Sequence, residues 1–273
     1  GSEMCIRDSI RTGQVDSKFG LDLASGEAMD ALRRASELKH VVVKGLHCHI
    51  GSQILEKAPF VHAAEVMLQF FAQVREELGT TFEHLNLGGG FGIHYTERDD
   101  AIPYEEYMED VSAMVHAKCR ELGLDLPYIF IEPGRSIVGE AGITLYTVGN
   151  IKHIPGVRDY VAIDGGMFDN PRYALYQSSY TCILANKAGE PADYTATIAG
   201  KCCESGDLIQ EHTLIQKPEE GDILAVLSTG AYNYSMASNY NRNLKPAVVM
   251  VSRGKSRIVV KGETYEDLVR NDV

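Results

Sequence analysis

Hydrophobic positions along the chain follow two rhythms, and the change-over falls near residue 139. Before it, short apolar runs alternate with longer stretches in which apolar residues return every three or four positions. Residues 25–40 predict a helix with Ser25 as its cap and Ala28, Leu32, Ala35 and Leu38 along one face. Val41-Val42-Val43-Lys44-Gly45-Leu46 then reads as a strand. Residues 59–78 predict a second helix, opened by Pro59 and closed by Gly79, with Val61, Ala64, Leu68, Phe71, Val74 and Leu78 on its inner face. A strand at 84–87 follows. A third helix at 104–122, stopped by Gly123, turns Tyr107, Val111, Met114, Val115, Lys118 and Leu122 inward, and a strand at 128–131 closes the series. Strand starts spaced by roughly forty residues match one strand–helix unit of an α/β barrel rather than a shorter solenoid repeat.

Beyond the change-over the period becomes two. Strands are predicted at 143–148, 160–163, 194–198 and 223–227, and those at 247–251 and 257–260 flank Arg253-Gly254-Lys255 as a hairpin. Residues 264–269 predict a short closing helix. The fold class expected is α/β plus all-β: a partial (β/α)8 barrel over 10–139 followed by a β-rich C-terminal domain over 140–273. A complete barrel takes about 250 residues, so three strands with their helices predict only its later part, the first strands lying outside this chain. Residues 1–9, Gly1-Ser2-Glu3-Met4-Cys5-Ile6-Arg7-Asp8-Ser9, have neither period; they read as a sequencing-adapter remnant and are left out of the fold argument.

Charge and composition narrow the function classes. A net charge of -12 over 273 residues argues against a nucleic-acid partner, which requires a clustered basic surface. No apolar run reaches the ~20 residues of a membrane span, and no basic-then-apolar leader is present. The six cysteines, at 5, 48, 119, 182, 202 and 203, lack C-x-x-C spacing and read as reduced thiols of a cytoplasmic protein.

Candidate chemistry gathers where the three parallel strands end, the edge at which α/β barrels build their sites. The first strand delivers His47-Cys48-His49-Ile50-Gly51-Ser52, the second Gly88-Gly89-Gly90-Phe91-Gly92, the third Glu132-Pro133-Gly134-Arg135. His47 and His49 share a strand face. A third metal ligand with suitable spacing is not evident, so no metal is expected: His49 suits the flat face of a cofactor ring and His47 a satisfied core position. The glycine run lacks the third glycine of a dinucleotide fingerprint, yet consecutive backbone N–H groups can nest a phosphate, with Ser52 and Arg135 adding a hydroxyl and a bidentate charge. Glu132 can face a pyridine-type nitrogen and keep it protonated, or simply pair with Arg135. In the β-rich half, Lys201-Cys202-Cys203-Glu204-Ser205-Gly206-Asp207 sets a thiol beside an acid. Arg172 and Tyr176 can hold a substrate carboxylate, and Tyr232 ends a strand with an amphipathic ring.

Together, His-x-His-Ile-Gly-Ser, Gly-Gly-Gly-Phe, Glu-Pro-Gly-Arg, Cys-Glu-Ser-Gly-Asp and Gly-Ala-Tyr resemble the diaminopimelate decarboxylase family, pyridoxal-phosphate enzymes of the alanine-racemase-like fold type III, over about residues 10–273. The resemblance implies pyridoxal 5'-phosphate as cofactor. His49 would stack on its ring, Ser52, Gly89, Gly90 and Arg135 would hold its phosphate, and Glu132 would meet its ring nitrogen. Cys203 would be the proton donor, with Cys202 as the competing thiol. Arg135, Arg172, Tyr176 and Glu204 would bind the distal end of the substrate, and Tyr232 would touch both cofactor and substrate. It further implies decarboxylation of meso-2,6-diaminopimelate to L-lysine in a homodimer with shared active sites. The family's cofactor-linking lysine belongs to an early barrel strand; Lys187 lies in the β-rich half and is not given that role, so the chain alone is expected to be inactive. A sister decarboxylase of arginine, ornithine or carboxynorspermidine is the nearest rival, and a non-catalytic regulatory relative the more distant one.

Overall fold

The structure, a computed structural model, describes residues 18–273; the expected adapter remnant at 1–9 lies outside the described residues. The described residues divide into two compact units, one made of residues 18–94 and 99–137, the other of 95–98 and 138–273.

The first unit is a strand–helix alternation. It runs α1 (Glu27–Ser36), β1 (Gly45–His47), α2 (Ala58–Leu78), β2 (His84–Asn86), α3 (Tyr104–Leu122), β3 (Tyr128–Phe130) and the single turn α4 (Arg135–Val138). The three strands form one parallel sheet in the order β1-β2-β3, with Leu46 opposite Leu85 and Leu85 opposite Ile129. Its ladder continues as hydrogen bonds from Cys48 N–H to the Asn86 carbonyl (2.9 Å), from Leu87 N–H to the Phe130 carbonyl (2.9 Å) and from Glu132 N–H to the Gly88 carbonyl (2.8 Å), which bring the three strand ends together. Long helices cover one face. Both close on glycines in the left-handed conformation, Gly79 at φ 66° and Gly123 at φ 62°. The core between helices and sheet contains Leu68, Phe71, Val74, Leu85, Val111 and Val115. Beside them Phe60 stacks on Phe91 at 4.6 Å and meets Tyr107 edge-on at 5.2 Å. Strand alternation leaves Tyr128 and Phe130 exposed on the opposite face.

Three sequence expectations are corrected here. Ser25 does not cap α1. The cap position is Gly26 at φ 86°, and Asp22 organises the entry instead by accepting the Ser25 N–H at 2.6 Å; at the other end α1 stops at Ser36, so Leu38 lies past the helix and is 57% exposed. The β-branched run Val41–Val43 is outside β1, because strand pairing begins only at Gly45 opposite His84, and Val42 is 77% exposed. His47 is not a core residue: its side chain is half-exposed and faces Glu132.

The second unit opens with β4 (Thr144–Ile154) and β5 (Arg158–Ile163), then a short helix α5 (Arg172–Tyr176) and β6 (Cys182–Leu184). β7 (Tyr194–Ala199), β8 (Leu208–Ile215) and β9 (Ile223–Val226) complete a six-stranded sheet, ordered β6-β9-β4-β5-β7-β8 and antiparallel except between β5 and β7. The one-turn helix α6 (Asn233–Met236) follows. A separate hairpin pairs β10 (Val248–Ser252) with β11 (Lys255–Val260), and α7 (Tyr265–Val269) ends the chain. The hairpin turn is Arg253-Gly254, both at positive φ (50° and 72°), as the favoured two-residue turn requires. Thr264 and Asp267 form a reciprocal capping box on α7. The expected plan, a partial α/β barrel followed by a β-rich region, is the one found. Among the described residues no helix is long and apolar enough to cross a membrane.

Candidate active site

In the first unit, parallel pairing sets the ends of β1, β2 and β3 side by side, and the polar groups of the three following loops meet there. Arg135, only 6% exposed at the start of α4, donates from Nη2 to the Ser52 hydroxyl at 2.7 Å. Between the first and second loops, the His49 Nδ1 accepts the Gly89 N–H at 3.3 Å. Burial, reinforced by the charge of His47 and opposed by Glu132, holds the His49 imidazole below its ordinary pKa. A ring that stays neutral keeps Nδ1 available as an acceptor.

The glycine run is required by close approach. A Cβ on Gly89 would stand 2.4 Å from the Glu132 carbonyl oxygen, and one on Gly90, at φ 101°, would stand 2.4 Å from the Gly51 carbonyl oxygen. No larger side chain fits without parting the loops. A backbone surface with a buried guanidinium, a hydroxyl and no side chain on the run suits a phosphate.

Glu132 is held by neighbours from the other two strands. Asn86 Nδ2 donates to its Oε1 at 2.8 Å, and His47 Nε2 is 3.4 Å from its Oε2. Asn86 also accepts the Gly88 N–H at 2.9 Å, so one amide orients both the acid and the glycine run. The carboxylate is therefore tied to β1 and β2 and does not depend on Arg135 for a partner. Among the described residues, no group of three or more His, Cys, Asp or Glu is arranged to hold a metal.

The second unit holds the remaining candidates. Arg172, 6% exposed at the start of α5, has its guanidinium carbon 5.4 Å from the Tyr95 ring centre, 5.7 Å from Tyr176 and 5.6 Å from Tyr232. Its Nη2 donates to the Ser178 hydroxyl at 3.2 Å, while its Nε is buried with no hydrogen-bond partner among the described residues. A cation caged by three aromatic rings with a donor in reserve suits an anionic group. Tyr232 sits at φ 71°, a backbone state that a bulky residue occupies only when its surroundings enforce it.

Cys203 is exposed, and its N–H donates to the Asn241 side-chain oxygen at 2.6 Å. Glu204 accepts from the Tyr240 hydroxyl at 3.4 Å. Cys202 differs from its neighbour: burial, aided by the charge of Asp207, pushes its thiol up to about 11. Sequence reasoning singled out neither Asn86, Tyr95, Asn241 nor the separate role of Asp207. Asn86 stands in the strand predicted at 84–87 and Asp207 in the cysteine motif, but an amide or acid there carries no signal of what it bonds. Tyr95 and Asn241 become visible only through tertiary contact.

Known proteins resemble this chain in sequence and fold. The family described as pyridoxal-dependent decarboxylase, pyridoxal binding domain, matches residues 3–139. Over 273 residues the chain is 51% identical to the diaminopimelate decarboxylase of Bacillus subtilis (strain 168), covering all of this chain and 62% of that protein. It is 49% identical to that of Staphylococcus aureus (strain COL), covering all of this chain and 64% of the relative. The chain thus spans somewhat under two thirds of the length of these relatives. Among solved structures, the diaminopimelate decarboxylase of M. jannaschii in co-complex with L-lysine superposes with a TM-score of 0.88 at 36% identity, over 96% of this chain and 59% of that one. The Helicobacter pylori enzyme complexed with L-lysine gives 0.82 at 30% identity, over 96% and 62% respectively. Matched through its three strand-end loops and the helices behind them, the chain belongs to the pyridoxal-dependent decarboxylase family.

Proposed function

We propose that this chain supplies the phosphate cradle, the ring-facing pair and the proton donor of an enzyme that converts meso-2,6-diaminopimelate to L-lysine and CO2. The observation that carries the reading is the convergence at one sheet end of a buried Arg135–Ser52 pair, a side-chain-free glycine run and a Glu132 held by Asn86. Pyridoxal 5'-phosphate, when bound, supplies an electron sink for the bond broken as CO2 departs. Ser52, Arg135 and the Gly89 and Gly90 backbone bind its phosphate. His49 lays its ring against the cofactor, and Glu132 keeps the ring nitrogen protonated. Cys203 delivers the proton that replaces the lost carboxylate. Arg172, Tyr176 and Tyr232, with Arg135 and Glu204, orient the distal end of the substrate. The caged guanidinium with its free donor supports a substrate that still carries a carboxylate at that end, against a purely cationic one such as ornithine. By family likeness the assembly is a homodimer with shared sites in the cytoplasm, a location that accords with five free cysteines among the described residues.

The test joins this chain to the remainder of the Bacillus subtilis relative, in place of the stretch it matches. Pyridoxal 5'-phosphate and meso-diaminopimelate should then yield CO2 and lysine in equal amounts, with ornithine and arginine left intact. Cofactor binding without CO2 from meso-diaminopimelate overturns the substrate; CO2 from ornithine or arginine instead moves the reading to a sister decarboxylase.

A further inference from the structure

Two cysteines stand side by side in the loop between β7 and β8, and the reading above uses only one. Their surroundings differ because of Asp207. This acid is 2% exposed, and it accepts the Cys202 N–H on Oδ2 at 2.6 Å and the Met167 N–H on Oδ1 at 2.5 Å. It therefore staples the cysteine loop to the loop after β5. The pocket for its carboxylate exists because two glycines carry no side chain. A Cβ on Gly200 would stand 2.2 Å from Asp207 Oδ2, and one on Gly166 would stand 2.7 Å from Oδ1. The loop itself closes on the same residue, the Gly200 N–H meeting the Asp207 carbonyl at 2.9 Å. On the other side, the Cys202 sulfur accepts from Asn243 Nδ2 at 3.6 Å. Cys203 points its backbone N–H at Asn241 and is left exposed.

We propose that Asp207 sorts the two adjacent thiols: it anchors Cys202 in the loop and so presents Cys203 as the one available for chemistry. Asp207 is then a positioning residue for the proton donor, an inference that rests on the reading of Cys203 given above. The charged and titratable groups that face Cys202 come from three segments. Asp207 is on its own loop, Asp169 on the loop after β5, and Tyr240, beside Asn243, on the turn before β10. Lys201 is turned aside, its ammonium 5.4 Å from the centre of the Phe168 ring. Burial, with the charges of Asp207 and Asp169 adding to it, disfavours a thiolate at Cys202 and raises its pKa to about 11. Since the thiolate is the reactive form, an electrophile should discriminate between the two positions.

The experiment is alkylation of the intact chain with iodoacetamide across pH, each site assigned by fragmentation of the peptide that holds both. In the unsubstituted chain, Cys203 should react at least ~10-fold faster than Cys202 near pH 8. The ratio should close as pH approaches about 11. Asp207→Asn keeps one acceptor but loses the charge and the second acceptor. Provided its circular dichroism matches the parent, its Cys203:Cys202 ratio should fall by ~5-fold or more and the Cys202 profile should move to lower pH. Equal labelling of the two thiols in the unsubstituted chain overturns the proposal, as does a folded Asp207→Asn chain with an unchanged ratio. Should Asp207→Asn fail to fold, the pH profile of the unsubstituted chain decides alone. No decarboxylation is measured, so a chimera that releases no CO2 would refute the decarboxylase reading without touching this ratio.

Discussion

Asp169 gives the second unit a pH dependence opposite to that of most carboxylates. Its side chain is 7% exposed, and burial pushes its pKa up to about 6 from 3.8, with the charges of Asp207 and Asp164 adding to the rise. The hydrogen bond it accepts from the Tyr146 hydroxyl at 2.6 Å opposes the shift without cancelling it. Because the folded form holds the proton more tightly than the unfolded one, the stability due to protonation is full below 3.8 and is lost as pH rises through about 6. Two units of pKa at ~1.4 kcal/mol each set a ceiling of ~3 kcal/mol, of which ~2 kcal/mol is lost between pH 4 and pH 7. Acids such as Glu211 and Asp222, whose pKa values are lowered, move overall stability the other way over the same range. The contribution of Asp169 is therefore isolated by comparison with Asp169→Asn, which keeps an acceptor for Tyr146 and cannot titrate. Urea unfolding of both chains at intervals from pH 4 to pH 7 should show the parent gaining ~2 kcal/mol on the variant toward the acid end. A constant difference across that range would refute the argument that burial dominates at Asp169.

Two further substitutions test the first unit. Phe60→Ala removes a 1%-exposed ring that stacks on Phe91 and abuts Tyr107, so urea unfolding should show a loss of ~3–5 kcal/mol; a loss under ~1 kcal/mol would mean the aromatic cluster can close over the gap. Gly89→Ala sets a methyl 2.4 Å from the Glu132 carbonyl oxygen, so the β2 and β3 loops must part, and fluorescence titration should show pyridoxal 5'-phosphate binding weakened ~10-fold or more. Unchanged affinity there would argue that the glycine run is not the cradle.

Much of this could be read from residue order, and the exceptions have physical causes. α3 is found at the predicted bounds because Pro103 and Gly123 bracket a long helical period, and local signals suffice there. Val41–Val43 looked like a strand from β-branched residues alone, but a strand exists only where a neighbour pairs with it, and pairing starts at Gly45. β8 escaped notice for the reverse reason. Ile209 and Ile215 are buried, but between them Glu211 and His212 face Thr197 in a register shift, with His212 at φ 49°, and this breaks the alternation. The site followed the same division. Parallel strand ends announce themselves as polar clusters after apolar runs, so Ser52, Glu132 and Arg135 stood out. Which group orients which does not follow from order: His47 passed for core, Glu132 finds Asn86, and the cage of Arg172 needs a tyrosine from a distant segment.

That tyrosine has an evolutionary consequence. Residues 95–98 belong to the second unit although the chain on either side of them belongs to the first. The Tyr95 carbonyl accepts from both the backbone N–H and the hydroxyl of Thr181, at 2.9 and 3.0 Å, and its ring meets Tyr180 edge-on at 5.4 Å. A single recombination event at 137/138 between two homologues would not exchange whole units. It would leave Tyr95 from one parent facing Arg172, Tyr180 and Thr181 from the other. Inheritance of the second unit therefore involves two separated stretches of the gene, and Tyr95 should covary with residues far along the chain more closely than with its own neighbours.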